Sequence, residues 1–135
     1  MRGVPTHDEV FVTVLTGKGR YFSARADLQL THPKILITGL NGLAVGLSAA
    51  LIAFSDFIHC TPQIFLWTLF SNLGLVAEGG ASRAFVQRLG ISKANEALVL
   101  SKRITAEGLL QVGFVNKIFG VQKGEVQKIG LRGIR

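Results

Sequence analysis

The chain has 135 residues, 48% of them hydrophobic and 17% charged, with 15 Lys and Arg against 8 Asp and Glu for a net charge of +7. That length supports one domain with a hydrophobic core, and that composition excludes a disordered segment. The single cysteine, Cys60, excludes an internal disulfide and fits a reducing compartment or a peroxisome.

The opening MRGVPTHDEV has no apolar run of the kind a secretory signal needs. VFVTVLTG (10–17), short, β-branched and closed by glycine, predicts a strand buried on both faces. GKGRYFS reads as the turn after it, and SARADLQLTHP leaves little room for structure of its own. KILITGL (34–40) predicts a second strand of the same kind. Gly39, Gly42 and Gly46 then punctuate a passage from strand to loop to helix, with LSAALIAF as the apolar helix. DFIHCT is a third strand candidate. After Gly79 and Gly80, ASRAFVQRLG predicts an amphipathic helix closed by Gly90. SKANEALVLSK starts from Ser92 as N-cap and places Ala94, Ala97, Leu98 and Leu100 on its apolar side. TAEGLLQVG (105–113) predicts a short helix, and FVNKIF a strand or extended exit. Strands alternating with helices indicate an α/β layer fold.

The last stretch concentrates the positive charge: Lys117, Lys123, Lys128, Arg132 and Arg135 face only Glu125. It carries no interleaved aromatics on which single strands stack, so no nucleic-acid partner is expected. A solvated tail or a phosphate-bearing small molecule suits it better. The terminal LRGIR is not a Ser-Lys-Leu type peroxisomal address.

Two uncharged runs, 35–55 and 57–77, are each long enough to cross a bilayer, and Gly42 with Gly46 forms a GxxxG pair. Against a membrane hairpin stand the Asn41-Gly42 turn, the breaks at Pro62-Gln63 and Asn72-Leu73-Gly74, and the lack of an aromatic belt or flanking basic clusters. Buried strands and core helices are the reading preferred, with a two-span protein as the alternative.

No metal is expected, since His7, His32 and His59 are far apart and Cys60 lacks a paired ligand. For His59 the default is a hydrogen-bonded strand histidine. The serine-hydrolase elbow G-x-S-x-G is absent, and TGKGRYFS fails the phosphate-loop pattern. In NGLAVGLSAAL, glycines between a strand and a helix leave backbone N–H groups able to face an anion or an oxyanion. Close strand-on-helix packing explains the same glycines equally well. Glu78, in LGLVAEGGAS, is a carboxylate among apolar residues beside a glycine pair. Buried, it would be a base poised by desolvation against a helix N-terminus; exposed, it would be an acidic residue stabilised by the helix dipole.

Taken in order, FVTVLTGKGRYFSARADL, HPKILITGLNGLAVGLSAALIAFSDF and LFSNLGLVAEGGASRAFVQRLGISKANEALVLSKRITAEGLLQVGFVNKIF resemble the crotonase (enoyl-CoA hydratase/isomerase) superfamily. The nearer likeness is to its Δ3,Δ2-enoyl-CoA isomerases of fungal peroxisomal type. The resemblance implies a ββα spiral that binds an acyl-CoA thioester as substrate and uses no cofactor. In that family two backbone N–H groups hold the thioester oxygen. One falls on Ala26, in a turn that is Gly-Ala-Asp in the family, and the other on Leu47. The isomerases' glutamate falls on Glu78. Ala24, Arg25, Ala26, Asp27 and Leu28 would line the acyl-CoA channel.

The two glutamates that a hydratase of this family needs fall on Ala50 and Phe70, which do not ionise, so the resemblance implies an isomerase. Arg25 departs from the family's glycine, and Leu69 stands where proline is usual. Only QLT remains of a helical segment ahead of HPK, and segments before Val10 and after Phe119 are missing. The expectation is therefore a crotonase-like spiral truncated at both ends, spanning 1–119, followed by a basic tail, 120–135. Family resemblance further implies a homo- or hetero-oligomer with crotonase relatives, and a peroxisomal or otherwise cytoplasmic setting. The role would lie in fatty-acid β-oxidation or in tailoring the acyl chain of a fungal secondary metabolite or toxin. A catalytically inactive fragment that assembles with full-length relatives is the alternative.

Overall fold

The structure is a computed structural model that describes residues 11–17, 21–23 and 34–120, the middle stretch by its backbone alone. Ala24, Arg25, Ala26, Asp27 and Leu28 lie outside the described residues, as do residues 121–135 of the expected tail.

Each turn of the chain lays down two strands and, where described, a helix. The first turn has β1 (Val12–Thr16) and β2 (Tyr21–Ser23). The second has β3 (Ile35–Leu40), β4 (Leu43–Val45) and α1 (Leu47–Leu51), which tightens into a 3-10 turn at Ile52–Phe54. The third has β5 (Phe57–Cys60), β6 (Phe65–Trp67), a 3-10 turn at Ser71–Leu73 and α2 (Ala81–Leu98). The chain then runs through β7 (Ile104–Thr105), α3 (Ala106–Gln111) and β8 (Lys117–Ile118). The first strand of every turn joins one sheet, in the parallel order β1-β3-β5-β8. The second strand joins the other sheet, β2-β4-β6 in parallel with β7 antiparallel at its edge. This is the ββα spiral.

β3 is the central strand expected from its continuous apolar run, buried from Leu36 to Leu40. β1 corrects its own expectation. Its burial alternates, with Thr13 buried while Val14 and Thr16 are exposed, so only one face of the strand meets the core. Four strands went unread in the sequence: the two-residue β7, just ahead of the expected helix, and three longer ones. β2 lies inside the segment taken for a turn, β4 inside the glycine-rich loop, and β6 in the second uncharged run. Each has three residues, too few for a period-2 pattern to register, and each exists because a neighbouring strand pairs with it. The two uncharged runs thus divide among short strands, α1 and 3-10 turns. Among the described residues no helix is long and apolar enough to cross a membrane.

Gly90 breaks α2 with φ 73° and ψ 160°, so the two helices read on either side of it follow one another directly. Ala81, Ala84, Phe85 and Leu89 are buried before the break, and Ala94 and Ala97 after it. Leu100, expected on that apolar side, is exposed. Thr105 caps α3, its hydroxyl accepting the Gly108 N–H at 3.3 Å.

The core lies between the sheets and the helices. Leu40, Ile52, Ile58, Leu66 and Leu109 are fully buried around Phe85, whose ring meets that of Phe114 edge-on at 5.9 Å. Asn41, read as a turn residue, ties the ends of β1 and β3 together. Its amide donates to the Gly17 carbonyl at 2.8 Å, and its carbonyl accepts the Gly17 N–H at 3.1 Å.

Candidate functional site

The site forms where β4 runs into α1 and where the loop after β6 returns to the same place. Gly46 makes the β4–α1 junction at φ 68° and ψ −137°, a backbone region that only glycine enters without strain. Its N–H donates to the Trp67 carbonyl on β6 at 2.8 Å, so the junction is pinned to the neighbouring strand. Leu47 follows as the first residue of α1, where an N–H has no carbonyl within the helix to meet it. The glycine-rich passage therefore does bring a backbone donor to a helix start, as one of its two readings required.

Glu78 reaches this junction through Gly79. A Cβ on Gly79 would stand 2.8 Å from Leu47 Cδ1 and 3.4 Å from Leu51 Cδ2. A Cβ on Gly80 would stand 2.9 Å from Phe54 Cζ. Both glycines have positive φ, 60° and 71°, and the Ala81 N–H closes the turn onto the Glu78 carbonyl at 3.0 Å. The glycine pair is thus required twice over, by conformation and by close approach. It seats Gly79, the residue after Glu78, against the first turn of α1.

Glu78 is exposed among the described residues. Beside it, however, Ala50, Phe70 and Ala81 form a buried apolar cluster against which Leu47, Ala77 and Leu98 pack. Ala50 and Phe70, onto which the family resemblance would map a hydratase's glutamates, are therefore next to the Glu78 loop and hold no titratable group. Leu73, Leu75 and Val76, immediately before Glu78, present an exposed apolar rim, with Val76 at 80% exposure. Of the other described carboxylates, Asp56 accepts the Leu36 N–H at 2.7 Å and Glu96 pairs with Lys93 and Lys102. Glu107 lies in the first turn of α3.

Structure and sequence part company at His59. It is buried on β5, but its Nδ1 has no hydrogen-bond partner, against the expectation of a satisfied strand histidine. Desolvation holds its pKa below the ordinary 6.5, and Lys117 adds to the effect. Cys60 is buried and its thiol is pushed up to about 12, first by desolvation and then by Glu107. Among the described residues no group of His, Cys, Asp and Glu is placed to hold a metal ion. Ser71 and Ser101, whose hydroxyls meet at 2.7 Å beside the Glu78 loop, carried no signal in the sequence.

Residues 30–129 match the family described as Enoyl-CoA hydratase/isomerase. The chain is 52% identical to the Delta(3,5)-Delta(2,4)-dienoyl-CoA isomerase of Pyricularia oryzae, over 92% of this chain and 58% of that protein. To the 3,2-trans-enoyl-CoA isomerase of Saccharomyces cerevisiae it is 26% identical, over 88% of this chain and 55% of that protein. These identities correct the nearer likeness read in the sequence, which pointed to the Δ3,Δ2 enzymes. Among solved structures, an enoyl-CoA hydratase from Polaromonas sp. JS666 superposes with a TM-score of 0.82 at 26% identity, covering 96% of this chain and 60% of that one. The chain therefore spans little more than half the length of these relatives. The alignment with the Pyricularia protein runs over 162 residues although this chain has 135, so it passes through positions that have no counterpart here. That agrees with an internal segment missing relative to the family.

Proposed function

Because the chain belongs to the enoyl-CoA hydratase/isomerase family, we propose that it binds an unsaturated acyl-CoA thioester and shifts its double bond, with Glu78 carrying the proton. The observation that supports this most is the seating of the Glu78–Gly79 turn on Leu47, with non-ionising Ala50 and Phe70 in the adjoining positions. The Leu47 N–H is one oxyanion donor, and the second is that of Ala26. Ala24, Arg25, Asp27 and Leu28 line the path of the thioester.

Two N–H donors on the thioester oxygen stabilise an enolate and so acidify the carbon next to the thioester. Glu78 removes a proton from C2, and the electron pair left there spreads onto the thioester oxygen on one side and through the double bond to C4 on the other. In a 3-enoyl chain, return of the same proton to C4 leaves a 2-enoyl thioester. In a 3,5-dienoyl chain the charge extends to C6, and protonation there leaves the 2,4-diene. Nothing is added and nothing is lost, so one base suffices and no activated water is required. Leu73, Leu75 and Val76 offer the acyl chain an apolar edge, and a chain lying there would dehydrate Glu78 on binding. The likeness to the Pyricularia protein makes a 3,5-dienoyl-CoA the first substrate to try and a 3-enoyl-CoA the second. A peroxisomal role in degrading unsaturated fatty acids, or one in tailoring an acyl product, belongs to the same proposal.

Absorbance of the newly conjugated thioester follows the reaction directly. Turnover by the purified chain, abolished in Glu78→Gln, is the expected result. Absence of turnover in folded, unmutated protein with both substrates would overturn the reading. A second reading, a non-catalytic chain that assembles with a full-length relative, is favoured by the exposure of Glu78 and by the 58% span. Co-elution with such a relative, without turnover of its own, would establish it.

A further inference from the structure

Ser101 is the one non-glycine among the described residues with positive φ, at 48°. It follows the end of α2, where the left-handed conformation usually falls to glycine because a Cβ is strained there. Ser101 is also 6% exposed, and its hydroxyl and carbonyl are both hydrogen-bonded. Its hydroxyl meets that of Ser71 at 2.7 Å, and its carbonyl accepts the Trp67 indole N–H at 2.8 Å. Nearby, the Thr68 hydroxyl donates to the Ala97 carbonyl at 2.6 Å in a buried bond. Three residues leaving β6, namely 67, 68 and 71, are thus bonded to the C-terminal end of α2. A glycine at 101 would relieve the backbone but would offer nothing to Ser71.

We propose that Ser101, through Ser71, is a positioning residue that holds the Glu78 loop in register with Leu47. This rests on the proposed role of Glu78. Residues 71–76 are exposed, so burial does little to locate them. Local backbone bonds shape the turn itself, with Leu75 N–H to the Phe70 carbonyl at 2.8 Å and Gly74 in the left-handed region at φ 68°. They do not attach it to the rest of the fold. The loop is attached at its ends: at Ser71 by the serine pair, and at Gly79 by contact with Leu47. Release of the first attachment lets the base drift from its working distance while leaving thioester binding in place.

The test uses Ser71→Ala, Ser101→Gly and Ser71→Thr in the whole chain. Loss of the hydroxyl in either of the first two should lower kcat about tenfold with KM within about twofold, because only the transition state senses the misplaced base. Ser71→Thr, which keeps the hydroxyl, should restore kcat. Ser101→Gly should retain the thermal midpoint, so that the loss is not one of folding. An unchanged kcat in both variants, or a change confined to KM, overturns the proposal. Should the unmutated chain show no turnover, the isomerase reading fails, and hydrogen exchange across residues 72–78 decides the tether. Faster exchange in Ser71→Ala, reversed in Ser71→Thr, upholds it, and equal exchange overturns it.

Discussion

His59 and Cys60 are neighbours on β5 and point to opposite faces of their sheet. Cys60 turns into the core among Leu40, Ile58 and Leu109, where burial keeps the thiol protonated. His59 lies in register with Lys117 on β8, with its ring edge-on to Phe119 at 5.4 Å. Burial and the Lys117 charge both favour the neutral imidazole, so the native state binds its proton more weakly than the unfolded chain does. The stability that follows is present above the ordinary value of 6.5 and is lost as pH falls below it toward the depressed native value. We therefore expect the urea midpoint to decline between about pH 7 and pH 5. His59→Phe removes both the titration and the unpartnered Nδ1, and should flatten that decline. An equal decline in the variant would assign the effect to other groups. Nothing in the sequence around FIHC revealed that this histidine lacks a partner, because its neighbours come from β8 and from Phe119, 58 to 60 residues on.

At the scale of elements, the Gly79–Gly80 turn and the start of α1 behave as one unit. The paired glycines were readable as a place of close approach, but what approaches, Leu47 and Phe54, is decided by how α1 packs. Gly79→Ala adds a Cβ 2.8 Å from Leu47 Cδ1 and holds it at φ 60°. The combined clash and backbone strain should cost about 1–3 kcal/mol, read from the shift in denaturant midpoint. Combining it with Leu47→Ala should relieve the clash and leave the backbone strain, giving a coupling between the two sites in a double-mutant cycle. Additive effects would show that the turn does not rest on α1. The longer elements were readable from local pattern, since β3 is a continuous apolar run and α2 repeats small and apolar residues at helical spacing. The three-residue strands were not, for their existence depends on pairing rather than on composition.

The whole molecule is a spiral whose first sheet, among the described residues, is covered on its core face and only in part on the other, where Ile37 and His59 are buried. Val14, Ile35 and Phe57 form the exposed part of that second face, the last two at 47% and 46% exposure. Parallel sheets are ordinarily covered on both sides, and an apolar patch left open attracts other molecules. Replacing Ile35 and Phe57 by Lys should change folding stability by about 1 kcal/mol or less while reducing dye binding and self-association seen by light scattering. A large loss of stability would place those side chains inside a covered core. The turn after Glu78 meets Leu47 through Gly79, and Ala26 lies outside the described residues.

What the sequence determined alone is local in origin: the alternation of strands and helices, the glycine pair ahead of α2, and a single carboxylate flanked by non-ionising residues. The ordered segments that mark the family belong with these, since each is carried by residues adjacent in the chain. The tertiary structure decided whatever depends on distant residues meeting. It left Glu78 exposed while seating Gly79 against Leu47, paired Ser71 with Ser101 and left part of one face of the first sheet exposed. Exposure and register are properties of neighbours in space, and in a spiral the neighbours of any strand are one full turn of chain away.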